Sequence, residues 1–153
     1  MERLQLEHDQ VVRTNGALID ACAVGDAAVC LVRRYEECWG ALRAVEGGIA
    51  YAHFPFPVFF PAHLPPAPMH ITYERVFAFV VGAARDAVDR EQGKARSKRA
   101  RVMAEIKRWH PDKFATEVVP RVNEGDRGML KEAAKAVVRC LNDMKDDPRV
   151  LRG

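Results

Sequence analysis

The chain predicts an all-α fold, and three observations carry that prediction. Apolar residues recur three and four apart over residues 28–45, 98–109 and 126–147, the period of a helix with one buried face. Glycines and prolines punctuate the ends of these stretches. Six of the nine prolines crowd into the single segment Tyr51–Met69, which excludes helix there and leaves the rest of the chain free to form it.

Taken in order, Leu4 to about Val24 permits a helix, with an irregularity at Asn15-Gly16. Gly25-Asp26 reads as a stop followed by an N-cap. Ala28, Leu31, Tyr35, Cys38, Leu42 and Val45 then form one stripe, with Arg33, Arg34, Glu36, Glu37 and Arg43 mostly off it, and Gly47-Gly48 ends the helix. The stripe also fits a short heptad pattern, so a homodimer seam through helix 28–45 is an alternative. It is shorter than the three or more heptads of a sustained coiled coil, which favours packing within the chain.

Tyr51–Met69 combines prolines with Tyr51, Phe54, Phe56, Phe59 and Phe60, rings too apolar to be left in water. The physical solution is an extended strap laid across a helical surface with its rings inward, rather than an exposed proline-rich docking peptide. Thr72 is the expected cap of a third helix buried through Val76, Phe77, Phe79, Val80 and Val81. Ala83–Ser97 grows polar and is broken by Gly93, which predicts a fray or loop. A fourth helix runs from about Ser97 to Trp109 and is stopped by Pro111. After a connection through Thr116–Asn123, Asp126 is expected to cap a last helix with Leu130, Ala133, Ala134, Val137, Leu141 and Met144 on one face, closed by Pro148. Residues 1–46, 47–71 and 72–147 are thus a helical region, a strap and a second helical region of one compact domain.

At 153 residues the chain can bury a core of its own, and its formal charge of +3 is too small to argue for nucleic acid by itself. No apolar run approaches the roughly 20 residues of a membrane span, and the N-terminus lacks a signal-peptide layout. Cys22, Cys30, Cys38 and Cys140 form neither a CxxC pair nor a zinc spacing, which points to a reducing compartment, cytoplasm or nucleus. His53, His63 and His70 lie in or beside the strap without the scaffold a metal site requires. Glu36, Glu37, Asp86, Asp89 and Glu91 read as helix-surface charge. No nucleophile–base arrangement and no phosphate loop is visible, so neither catalytic residues nor a cofactor are expected.

The most specific feature is Lys107-Arg108-Trp109-His110-Pro111-Asp112-Lys113-Phe114. Here a basic helix ends in an aromatic residue, and a rigid turn carries an imidazole and a carboxylate. The densest positive region, Lys94 to Arg101, precedes it. Lys94, Lys98, Arg101 and Arg108 can share one helical face, with Val102, Met103 and Ile106 on another. Such a face can steer onto an acidic protein surface, Pro111 lowers the ordering cost of docking, and Asp112 can pair with a partner's arginine.

The tripeptide in this setting resembles the HPD turn of the J domain of Hsp40 co-chaperones, over roughly Lys98 to Met144. The resemblance implies a J-like antiparallel helix pair joined by the turn, and an Hsp70-type chaperone as partner. It assigns partner-binding roles to His110, Pro111 and Asp112, beside the basic residues Lys98, Arg101, Lys107, Arg108 and Lys113. Glu105 stands where J domains carry an apolar residue. The longer string Arg108–Phe114 is similar to the C-terminal region of NF-kappa-B-inhibitor-like and uncharacterised fungal proteins. There the turn follows a Tyr-x-x-x-Trp helix (here Tyr35 and Trp39) and a proline-aromatic strap (here Phe54–Val58). The alternatives are a scaffold in which the turn is purely structural, and a nuclear, nucleic-acid-associated protein. Nucleic acid ranks behind, since Trp109 is the only aromatic residue near the charge.

Overall fold

The computed structural model describes residues 26–60 and 65–152, and among them the architecture is all-α, with one isolated β-bridge and no sheet. Five helices of nine or more residues carry the fold: α1 (Asp26–Leu42), α2 (Tyr73–Val81), α3 (Ala83–Glu91), α4 (Lys98–Arg108) and α5 (Arg127–Met144). A last turn, α6 (Pro148–Leu151), packs on α4. Helix α2 lies at the centre, touching α3, α4 and α5, while α1 packs on α3. The helix expected over 4–24, Cys22 and His63 lie outside the described residues.

The amphipathic readings of α1 and α5 stand with adjusted edges. Ala28, Val32, Tyr35 and Trp39 form the buried line of α1, one residue round from parts of the expected stripe. The helix ends at Leu42, and Val45 beyond it is exposed. That line faces this chain's own core, while Leu31, Cys38 and Leu42 of the expected stripe are half-buried. In α5 the expected residues are buried, joined by Ala136 and Cys140. Asp126 occupies the N-cap position but its carboxylate does other work, accepting the Tyr51 backbone N–H at 3.0 Å. Thr72 likewise holds the cap position of α2 without a side-chain cap bond.

Four expectations are corrected or sharpened. Ala83–Glu91 is helix, because its inward face is built partly from Arg85 and Asp89, polar residues that periodicity assigns to the surface. Asp89 is 1% exposed and Glu36 half-buried, so neither is simple surface charge. The connection expected over Thr116–Asn123 is itself wound, entered by a π-helical turn over Phe114–Val118 and continued by a 3-10 turn over Val119–Arg121. Pro148 opens α6 instead of only closing α5: Asp147 caps it, accepting the Arg149 N–H at 2.8 Å, and proline suits the first position of a helix.

Gly82 separates α2 from α3 in an extended conformation. A Cβ there would lie 2.1 Å from the Ala78 carbonyl oxygen, so only glycine fits without a backbone shift. Gly93, at φ 66°, turns the chain out of α3 in the left-handed region that glycine tolerates.

The strap is pinned at its start. The Ile49 N–H donates to the Arg121 carbonyl at 3.1 Å, and the Asn123 N–H donates to the Ile49 carbonyl at 2.8 Å. Tyr51, Phe54, Phe56 and Val58 then run buried across the helices. Each buried ring of this size stabilises the fold by about 1.5–3 kcal/mol. Phe59 and Phe60 are half-buried, and His70 is bonded locally, its Nδ1 accepting the Ala67 N–H at 3.0 Å.

Candidate functional site

Ser97 caps α4 by accepting the Ala100 N–H, and Trp109 closes it. Pro111 forces His110 out of the helical region, to φ −51° and ψ 127°, so the chain turns immediately. Trp109 is fully buried and Phe114 nearly so. Their rings stack at 5.2 Å with an 18° interplanar angle, and both meet Phe54. Phe56 stacks on Trp109 from the strap, and Trp39 meets it edge-on at 5.2 Å. The two aromatic residues flanking the turn are therefore clamped together, and His110, Pro111, Asp112 and Lys113 between them are all exposed.

Within the turn, the His110 Nδ1 accepts the Asp112 backbone N–H at 3.3 Å, which leaves Nε2 for a partner. The Asp112 carboxylate has no hydrogen bond or ion pair among the described residues, and the Lys107 and Lys113 ammonium groups have none either. The Thr116 hydroxyl donates to the Asp112 carbonyl at 2.9 Å and supports the turn from below.

A buried polar network holds Trp109. Its indole N–H donates to the Tyr35 hydroxyl at 3.1 Å, and that hydroxyl donates to Glu105 Oε2 at 2.6 Å. Arg108 donates to Glu105 Oε1 at 2.9 Å and to Glu36 Oε2 at 2.9 Å, its guanidinium 5.3 Å from the ring centroids of both Tyr35 and Trp39. Burial pushes the Glu105 carboxyl above its ordinary value, against the pull of Arg108 and the Tyr35 hydrogen bond. Burial and the Glu105 charge raise Tyr35 well above the usual phenol range. Burial also acts upward on Glu36, but Arg108 and Arg85 outweigh it and hold that carboxyl low. Glu105 is thus a buried carboxylate with its own donors, the Tyr35 hydroxyl and the Arg108 guanidinium.

A second network lies next to the first. Asp89 accepts from Arg101 Nε at 2.9 Å and from Arg85 Nε at 3.0 Å, Arg101 also pairs with Asp86, and Arg85 Nη1 reaches Glu36 at 2.6 Å. This overturns part of the expected basic face. Arg101 is 6% exposed and Arg108 is half-buried; both turn inward because carboxylates wait for them on α1, α3 and α4. Lys98 is half-buried, Lys94 exposed, and Met103, expected on the apolar face, is exposed. The structure therefore gathers Lys107, His110, Pro111, Asp112 and Lys113 at one exposed end of α4 and withdraws Arg101 and Arg108 from it. Arg99, outside the expected set, is exposed on the same helix. The sequence reading placed half-buried Glu36 at the surface and gave buried Glu105 no partners, since the arginines and the tyrosine that hold them come from other parts of the chain or of the helix face.

Among the described residues no group of three or more His, Cys, Asp or Glu could hold a metal ion, and no helix is long and apolar enough to cross a membrane. The three described cysteines, Cys30, Cys38 and Cys140, are free thiols. No family model, curated protein or solved structure matches the chain.

Proposed function

We propose that the chain is a non-enzymatic protein-interaction module whose exposed His110-Pro111-Asp112 turn, with Lys107 and Lys113, docks an acidic partner surface. The resemblance to J domains makes an Hsp70-type chaperone the partner to test first, with α4 and α5 as the J-like helix pair and the cytoplasm or nucleus as the compartment. One observation carries this reading: a turn clamped from beneath by Trp109 and Phe114 presents an imidazole and a carboxylate to solvent, the carboxylate without an intramolecular partner among the described residues. A rigid, exposed turn with an unpaired Asp112 suits recognition, since little ordering remains to be lost on docking.

A single-turnover Hsp70 ATPase assay tests it. Wild type is expected to stimulate hydrolysis, and His110→Gln and Asp112→Asn to abolish the stimulation. Lack of stimulation by wild type removes the chaperone partnership.

The second reading is a scaffold with a structural turn, favoured by the local bond from Asp112 N–H to His110 Nδ1. It requires His110→Gln and Asp112→Asn to lower the melting temperature appreciably. The docking reading expects changes within about 0.5 kcal/mol, as for other exposed substitutions.

A further inference from the structure

Beside the turn, where the end of α1, the last turns of α4 and the π-helical turn meet, lies a cleft of about 560 Å³. Its apolar surface comes from Leu42, Ile49, Val118 and Trp39. Arg43, Lys107 and Lys113 stand among its lining residues, all three exposed and without an ion-pair partner among the described residues. Glu117 is the single carboxylate there. Arg121, also in the lining, donates to the Leu42 carbonyl at 2.7 Å and holds the end of α1 in place, so this wall of the cleft is preformed.

We propose that this cleft binds an acidic segment of a partner protein, an apolar side chain seated on the floor and flanking carboxylates meeting Arg43, Lys107 and Lys113. The mixture of apolar floor and charged rim selects that occupant. A small free anion would want cations converging on one buried point, whereas Arg43, Lys107 and Lys113 are all exposed. A nucleic acid would want an exposed aromatic face for stacking, and the Trp39 face is covered by the Arg108 guanidinium. The cleft shares Lys107 and Lys113 with the docking face proposed above and extends it. Arg43 and the apolar floor belong to the cleft alone, so the two can be tested apart.

The test uses the full chain and fluorescence anisotropy of a short fluorescein-labelled peptide alternating glutamate and leucine. The comparison probes are an all-glutamate peptide of equal length and a single-stranded oligonucleotide. The glutamate–leucine peptide is expected to bind tightest, and more weakly as salt is raised. Arg43→Glu and Lys113→Glu should each weaken it about tenfold, through like-charge repulsion at the rim. Arg34→Glu, an exposed reversal on α1 outside the cleft, makes the same change in net charge and should cost far less. Equal loss in Arg34→Glu and Arg43→Glu would overturn the proposal, as would equal binding of the all-glutamate peptide or tighter binding of the oligonucleotide. The assay contains no chaperone, so peptide binding without Hsp70 stimulation leaves the cleft standing, and stimulation without peptide binding removes the cleft alone.

Discussion

Tyr35→Phe removes one oxygen and tests whether the polar network under the turn is a structural element. The ring keeps its edge contacts with Phe79 at 5.0 Å and Trp39 at 6.4 Å, so packing is conserved. Two hydrogen bonds disappear. The Trp109 indole N–H, on a ring that is fully buried, loses its acceptor, and a buried donor left unmade costs about 1–3 kcal/mol. Glu105 loses its shortest bond, and hydrogen bonds to a charged group contribute about 1.5–3 kcal/mol. Arg108 still holds the other Glu105 oxygen, which offsets part of the loss, so a net cost of about 2–4 kcal/mol is expected. Urea unfolding followed by far-ultraviolet circular dichroism measures it, with the midpoint falling and the slope unchanged. Adding Trp109→Phe removes the orphaned N–H, and the double variant should be less destabilised than the sum of the singles by about 1 kcal/mol. A Tyr35→Phe protein within about 0.5 kcal/mol of wild type, or strict additivity, would refute the reasoning.

Two further predictions concern the buried charges. Arg101→Gln strips a cation from Asp89, which is 1% exposed, and from Asp86; Arg85 and Arg96 still hold Asp89, so the cost in urea unfolding should fall to about 2–4 kcal/mol. Lys94→Gln on the exposed surface should change stability by less than about 0.5 kcal/mol. Similar values for the two would place Arg101 at the surface after all. Glu105→Gln should alter the pH dependence of stability. Because burial raises the folded-state value of Glu105 above 4.5, the native protein binds that proton more tightly than the unfolded chain does. Wild type therefore loses stability as pH rises from 4.5 through the raised value, while the glutamine variant does not. Glu36 has the opposite sign and its window lies below 4.5, so the two effects separate. Urea midpoints for both proteins across this range read the difference, and parallel curves would remove Glu105 as the titrating group.

The helices were legible wherever burial is made of apolar side chains. Val137 and Leu141 in α5 and Phe79 and Val80 in α2 announce themselves by spacing alone. Reading fails where burial is polar. Helix α3 was hidden because Arg85 and Asp89 fill its inward face, and only the carboxylate of Glu36 on α1 and the guanidinium of Arg101 on α4 make that burial affordable. Those partners lie 49 and 12 residues away along the chain, beyond any local pattern. The turn was legible because Pro111 stops a helix whatever its surroundings. Its exposure was not, since that depends on Trp109 and Phe114 stacking on each other across the tripeptide.

The same distinction bears on which charges can reach a partner. Counting basic residues around α4 overstates the available field, because the cations held in the buried networks are arginines: Arg85, Arg101 and Arg108. A planar guanidinium can serve two carboxylates at once and is less costly to desolvate than an ammonium, which is why it takes these positions. Lys94, Lys107 and Lys113 remain in water, compact charges without partners among the described residues. Arg85, Arg101 and Arg108 thus fix the platform, while the lysines at the turn stay in water. Exchanging an inward arginine should therefore show first in stability, whereas exchanging Lys107 or Lys113 should show first in docking and in its response to salt.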